Sequence, residues 1–241
     1  MTTLLYQTDS YLQSFEARVT ALDEENHAII LDRSAFYPGG GGQPCDFGTL
    51  TIGSNVYPVT KCKKAGEQVL HFVPHDLSLP AIGEQAQGQL DWDRRYQLMR
   101  THTAMHVLCG VIFRDYGASV TGGDMDPLNG RMDFEFETMQ KELVEKIQDA
   151  VNKEVAAGRE VRVAILPREE AFQIPDLIRT KINLLPEGIT QVRTVEIVGL
   201  DLQADGGTHV RNTAEIGHIR VVDYKSKGKI NKRIYVEVDY N

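Results

Sequence analysis

Between Phe15 and Asp91, apolar and polar residues alternate in short runs interrupted by turn residues. The alternation predicts strands at 15–20, 27–31, 49–52, 56–60, 69–73 and 85–90, separated by turns at 23–26, the glycine run 39–42, Gly66 and Gly83. Many short strands with no helical stretch between them predict a small β-barrel-like domain. Near Asp91 the period changes. Leu98, Met99, Met105, Cys109, Ile112, Phe113 and Tyr116 fall along one broad helical stripe, which predicts a helix at 94–116 capped by Asp93 and stopped by Gly117.

Residues 130–137 alternate Met132, Phe134 and Phe136 against Asp133 and Glu135, as a half-buried strand does. Thr138 stands where it would cap a second helix at 139–157, which turns Leu143, Val144, Ile147, Val151 and Val155 inward and stops at Gly158. Further strands are predicted at 160–166, 191–198, 216–223 and 233–238, with a short helix at 168–173. The second half is α+β by this order, so the expected division is 1–92, a β-barrel-like domain carrying the glycine-rich loop, and 93–241, an α+β domain.

The composition of the 241 residues, 41% hydrophobic and 25% charged, is ordinary for a folded protein and excludes collagen-like and disordered classes. A net charge of −8 excludes a uniformly basic nucleic-acid coat but leaves room for a local basic patch. The acidity is concentrated at the N-terminal side: residues 1–92 hold 5 basic and 11 acidic residues, and 93–241 hold 21 and 23. Cys45, Cys62 and Cys109 are too scattered for a disulfide framework, which points to a reducing, cytoplasmic setting. No run approaches the roughly 18 apolar residues of a membrane span, so no membrane partner is expected.

His102 and His106 stand at i and i+4, so on a helix both rings leave the same face. Such pairs also occur on helix surfaces without a metal. A second segment repeats the spacing with Asp205 and His209, separated by two glycines and Thr208. Read alone it is a tight turn; read with the first pair it completes three imidazoles and a carboxylate, a donor set for Zn²⁺ at about 2.0–2.2 Å. His71 and His75 share the spacing, but Pro74 and the strand around them argue against a helix.

His102-Thr-Ala-Met-His106 resembles the H-x-x-x-H element of alanyl-tRNA synthetase editing domains, and Asp205-Gly-Gly-Thr-His209, continuing to Gly217, resembles their C-x-x-x-H element. Phe36-Tyr-Pro-Gly-Gly-Gly-Gly-Gln-Pro44, with Asp46 and Gly48, resembles the glycine-rich signature that precedes those domains, and Arg131-Met-Asp-Phe134 resembles a further element. These matches run in order from about residue 34 to 220. The chain thus resembles the AlaX-type, free-standing alanyl-tRNA editing proteins, in their longer form. The resemblance implies an editing (deacylase) domain with a metal site at 93–241 and hydrolysis of seryl- or glycyl-tRNA(Ala) in the service of translation fidelity. The signature begins at Phe36, which leaves no room ahead of it for an aminoacylation domain, so action in trans is expected.

One departure bears on the chemistry. Where many relatives carry a zinc-binding cysteine, this chain has Asp205. Thiolate and carboxylate carry the same charge, but the harder oxygen should weaken the preference for zinc and admit other divalent metals. Alternatively, Asp205 stays off the metal and hydrogen-bonds a ligand histidine.

The expected metal ligands are therefore His102, His106, Asp205 and His209. The amides around Gly206, Gly207 and Thr208 are candidate oxyanion donors, and Thr103, Thr208 and Thr121 offer hydroxyls to the substrate. Thr121 and Thr103 are the candidates for recognising a serine hydroxyl, a contact that alanine would leave unpaired. Arg94, Arg95, Arg100, Lys225, Lys227, Lys229, Lys232 and Arg233 are the candidate contacts to tRNA phosphates. The glycine run lacks the Gly-Lys-Ser/Thr ending of a phosphate-binding loop, so no nucleotide hydrolysis is expected. No sequence feature marks a protein partner. The rival readings are a non-catalytic tRNA-binding module with a structural zinc and a metal-dependent hydrolase of small esters or peptides, although the latter lacks the Glu of H-E-x-x-H.

Overall fold

Alternation in the N-terminal region is realised as nine strands: β1 (Thr3–Leu4), β2 (Ser14–Asp23), β3 (Ala28–Leu31), β4 (Arg33–Ser34), β5 (Gly48–Ile52), β6 (Asn55–Val59), β7 (Lys61–Ala65), β8 (Gln68–Phe72) and β9 (Gln85–Leu90). The computed structural model describes residues 1–179 and 188–239 and separates into two compact units, Met1–Tyr96 and Gln97–Asn241. In the first unit, seven strands form one sheet in the order β6-β5-β9-β2-β3-β8-β7, and β1 pairs with β4 in parallel. Strand β2 serves two neighbours: Ser14–Arg18 pairs with β9, and Val19–Asp23 pairs with β3 across a bulge. One core cluster, including Val19, Ile29, Leu31, Phe36, Leu50, Ile52, Val59 and Val69, fills the sheet's inner side.

The expected barrel is not closed. Closure requires the two edge strands to pair, and among the described residues β6 and β7 pair only inward, with β5 and β8. Lys61, Lys63 and Lys64 keep the β7 edge solvated, a common way to block further pairing.

The glycine run forms a loop closed at its neck. Tyr37 N donates to Asp46 Oδ2 at 2.6 Å and Asp46 N donates to Tyr37 O at 3.0 Å. At the tip, Gly40 and Gln43 exchange both backbone bonds around Gly41 and Gly42, whose φ values of 57° and 88° are open to glycine at no steric cost. Arg95 is wholly buried behind the neck. Its Nε donates to both Asp46 oxygens, Nη1 to Ser10 O and Nη2 to Ala35 O and Asp46.

Helix α1 (Trp92–Tyr116) begins in the first unit and continues into the second. Its cap is Asp91, whose Oδ1 accepts from Arg94 N at 3.2 Å, so the expected cap Asp93 lies inside the first turn. The apolar stripe also broadens: every residue from Leu98 to Ile112 is buried, the behaviour of a central helix rather than a surface one. Its two threonines are served locally. Thr101 and Thr103 each donate to the carbonyl four residues back.

The second unit adds β10 (Val120–Asp126), β11 (Asn129–Glu135), α2 (Lys141–Ala156), β12 (Val161–Pro167), α3 (Arg168–Ala171), β13 (Gln191–Ile197), β14 (Asp201–Ala204), β15 (Ile219–Ser226) and β16 (Asn231–Val238). They form two antiparallel sheets, β10-β11-β16-β15 and β12-β13-β14. Helix α2 begins after Gln140 with no side-chain cap, so Thr138 does not serve as one. It is tied to β15 by Asn152, which exchanges two bonds with the Ile219 backbone, and by Gln148, which accepts from Val221 N. No helix among the described residues is long and apolar enough to cross a membrane.

Candidate metal centre

Two elements of the second unit supply the site. The helical pitch of α1 sets the His102 and His106 rings 5.1 Å apart, and the segment after β14 brings Asp205 and His209 against them. His209 stacks on His102 with ring centroids 4.2 Å apart. All three Nε2 atoms converge on the Asp205 carboxylate: His209 at 3.0 Å, His102 at 3.4 Å and His106 at 3.9 Å. The four ligand atoms lie within 4.8 Å of one another. Around a tetrahedral ion with bonds of about 2.0–2.2 Å, ligand atoms are separated by about 3.3–3.6 Å, so the set is close to the spacing that an ion demands.

The segment around Asp205 is held from several sides. Asp205 N donates to Arg193 O, Arg193 Nη1 donates to Asp205 O, and the Asp205 carboxylate accepts from Gly207 N at 2.6 Å, which folds the two glycines into a tight turn. Thr103 locks the other end. Because its hydroxyl donates to Met99 O, its oxygen accepts from Val210 N at 3.2 Å and from His209 Nδ1 at 3.1 Å. A donating Nδ1–H leaves the His209 Nε2 lone pair directed at the Asp205 oxygen. Two acceptors facing one another at 3.0 Å would be reconciled by a cation that both bind.

The electrostatics separate the histidines. Burial pulls His209 down to about 4, partly opposed by Asp205, and burial together with its neighbouring imidazoles and Arg193 holds His102 well below the usual imidazole range. Both are neutral at pH 7, the form in which an imidazole binds a metal. His106 is different: burial opposes its charge, yet Asp201 and Asp205 outweigh it and raise its pKa. Burial works against the Asp205 charge, yet its carboxyl is held well below the usual carboxylate range, with His102 the largest opposing influence.

Asp201 carries no motif, and the sequence gives no sign of its role. Its Oδ2 lies 3.4 Å from His106 Nδ1, behind the ring, and its carboxylate also accepts from Gln203 Nε2 and Arg179 Nε. The close approach depends on Gly110, one turn beyond His106. A Cβ there would stand 2.9 Å from Asp201 Cβ and 2.9 Å from Leu200 Cγ.

The remaining expected residues scatter. Gly206 is exposed and Thr208 buried, while the Gly207 N–H is committed to Asp205. The Thr103 hydroxyl is buried and engaged by Met99 O, His209 Nδ1 and Val210 N. Thr121 lies on the exposed face of β10 and donates to Asn231 Oδ1 on β16.

Among the basic residues, Arg94 donates to Cys45 O and stacks on Phe47. Arg95 and Arg100 are buried, the latter bound to the carbonyls of Ile216 and Asp239, so neither guanidinium is presented to a phosphate. Lys232 is likewise buried, with Nζ donating to the carbonyls of Gly228 and Lys229. Arg233 pairs in two-pronged fashion with Asp133, and Lys225 pairs with Asp223. Lys227 and Lys229 stand exposed in the turn between β15 and β16.

Comparison with known proteins adds to this geometry. Residues 192–235 match the family model for the threonyl and alanyl tRNA synthetase second additional domain, and residues 6–94 match that for class II (A) tRNA synthetases. The chain is 42% identical to the alanyl-tRNA editing protein AlaX-M of Saccharolobus solfataricus, over 99% of both chains. It is 36% identical to the AlaX-M protein of Methanosarcina mazei, over 98% of this chain and 96% of the relative. It is also 35% identical to an alanine–tRNA ligase of Ignicoccus hospitalis, over 90% of this chain but 24% of the ligase.

Proposed function

The chain belongs to the AlaX-M family of alanyl-tRNA editing proteins, and from that premise we propose that it is a cytoplasmic aminoacyl-tRNA hydrolase that deacylates tRNA(Ala) mischarged with serine or glycine. The observation that carries the reading is the convergence of three imidazole Nε2 atoms on one carboxylate. His102, His106, Asp205 and His209 would hold a divalent metal, Zn²⁺ or a harder ion that the carboxylate admits. When bound, such an ion orients or activates a water, or fixes the substrate's amino group beside the ester.

The chain's own groups prepare that site. Thr103 fixes the His209 ring and its tautomer, the Asp201 carboxylate stands 3.4 Å behind His106 Nδ1, and Arg193 holds the Asp205 backbone. The exposed Gly206 offers a backbone amide beside Asp205 with no side chain in the way. We assign residues 93–241 to the editing domain and 1–92 to a β-rich domain carrying the glycine loop. Arg94, Lys227 and Lys229 remain as candidate tRNA contacts.

A second reading has one observation in its favour: four protein ligands close a tetrahedral site, as in a structural zinc centre of a tRNA-binding module. Deacylation of Ser-, Gly- and Ala-tRNA(Ala) by wild type, His102→Ala and Asp205→Ala, with metal content measured on each, separates the two. Turnover of Ser- or Gly-tRNA(Ala) by the wild type, lost with the metal in the variants, supports editing. Wild-type protein that holds metal yet deacylates none of the three supports the structural reading.

A further inference from the structure

Strand β12, Val-Arg-Val-Ala-Ile-Leu-Pro from Val161 to Pro167, is the edge of the β12-β13-β14 sheet, and Val163 and Ile165 on it are 40% and 39% exposed. An apolar, β-branched edge of this length is a template for pairing. Which backbone groups are open follows from the ladder. Val198 N donates to Glu160 O and Arg168 N to Thr190 O, so Glu160, Arg162, Ala164, Leu166 and Arg168 direct their backbone toward β13. Val161, Val163, Ile165 and Pro167 therefore direct theirs outward. The Val161 N–H is already used by Arg211 O at 2.8 Å, and Pro167 has none. That leaves two outward donors, Val163 and Ile165, without a partner among the described residues.

From this edge we infer that two copies of the chain associate antiparallel through β12, with Ala164 of each copy opposite Ala164 of the other. In this register Val163 of one copy and Ile165 of the other exchange N–H···O=C bonds, twice, so both open donors are satisfied. A shift that sets Val163 opposite Val163 turns Ile165 to Val161, whose donor is occupied. A shift the other way turns Val163 to Pro167, which has no donor to return. Only the Ala164-centred register pairs Val163 and Ile165 fully. It also puts Val163 and Ile165 of both copies on one face as cross-strand aliphatic pairs, and it confines the pairing to the stretch beyond Glu160 and Val161, which Asn212 and Arg211 already flank. The two three-stranded sheets become one six-stranded sheet about a two-fold axis.

Register-specific cross-linking tests the inference on the full-length protein. Ala164 faces its own copy in a non-hydrogen-bonded pair, where Cα atoms stand about 4.5 Å apart, within reach of a disulfide. Under mild oxidation, Ala164→Cys is expected to form a covalent dimer at least about tenfold faster than Arg162→Cys, whose copies lie too far apart to bond. The wild type serves as the blank for Cys45, Cys62 and Cys109. Sedimentation of the wild type should show a dimer that grows with concentration, and Val163→Lys/Ile165→Lys, changed only at exposed positions, should remain monomeric. Equal cross-linking of the two cysteine variants, or a wild type that stays monomeric up to about 0.5 mM, a concentration at which even a weak pair would assemble, overturns it.

Discussion

Replacing Gly110 by alanine sets two effects against each other. In a helix interior alanine is favoured over glycine by about 1 kcal/mol. At Gly110, however, the added Cβ meets Asp201 Cβ and Leu200 Cγ at 2.9 Å and Leu200 Cδ1 at 3.4 Å. Carbon atoms prefer about 3.5–4.0 Å, so the turn before β14 must withdraw by roughly half an ångström or more. Leu200, half-buried, can yield; Asp201 cannot readily, because its backbone pairs with Ile197 and its carboxylate is engaged by Gln203 and Arg179. Overpacking of this kind costs about 1–3 kcal/mol, which outweighs the helix gain and leaves a net loss of about 1 kcal/mol or slightly more. The withdrawal also takes Asp201 away from His106, and loss of such a supporting group lowers metal affinity by about 10–100-fold. Urea unfolding in the presence of a chelator measures the first effect, and competition with a chromophoric chelator the second. A Gly110→Ala protein that is more stable than wild type and binds metal as tightly would refute the account of how helix and turn meet.

Thr103→Val keeps the shape of the side chain but deprives His209 Nδ1 and Val210 N of their acceptor; metal affinity should fall about 10–100-fold, with Thr103→Ser restoring it, as read by chelator competition. Asp46→Asn removes the charge that compensates the buried Arg95 and should cost about 3–5 kcal/mol in urea unfolding, whereas Asp46→Asn/Arg95→Met, which leaves no buried charge unpaired, should cost less. His71, buried between Ser34 Oγ and Ile29 O, is lowered by burial to about 4 from 6.5. The unfolded chain therefore binds the extra proton between these values, so stability is full above about pH 6.5 and falls as the pH drops toward 4, by about 2 kcal/mol at pH 5. His71→Gln should flatten this slope in urea midpoints compared at pH 7 and pH 5.

How far the sequence could be read depends on the range of the interaction. Alternation around Leu50 and Ile52, or Phe134 and Met132, is a local signal, and it located the strands. Closure of the N-terminal sheet was not local: it turns on whether β6 and β7 meet, which alternation does not encode. The i, i+4 spacing of His102 and His106 and of Asp205 and His209 announced the ligands because each pair belongs to one short segment. Asp201 was hidden, since its place behind His106 exists only through the gap at Gly110. The burial of Arg95 and Arg100 was hidden for the same reason. A sequence shows Arg95 and Arg100 as charges, but their partners, Asp46 and the carbonyls of Ala35, Ile216 and Asp239, lie far along the chain.

The neck of the glycine loop has a consequence for how the protein tolerates change. Tyr37 and Asp46 are joined from both sides, and the fully buried Arg95 fixes Asp46. The path from Pro38 to Cys45 is thus a ring whose ends are set independently of what the ring contains. Loop closure depends only weakly on length, so insertions at the tip should leave the sheet beneath intact, whereas a change at the neck should reach the whole unit. The loop can acquire new tips without renegotiating the fold, and the buried ion pair at its base is what makes it replaceable.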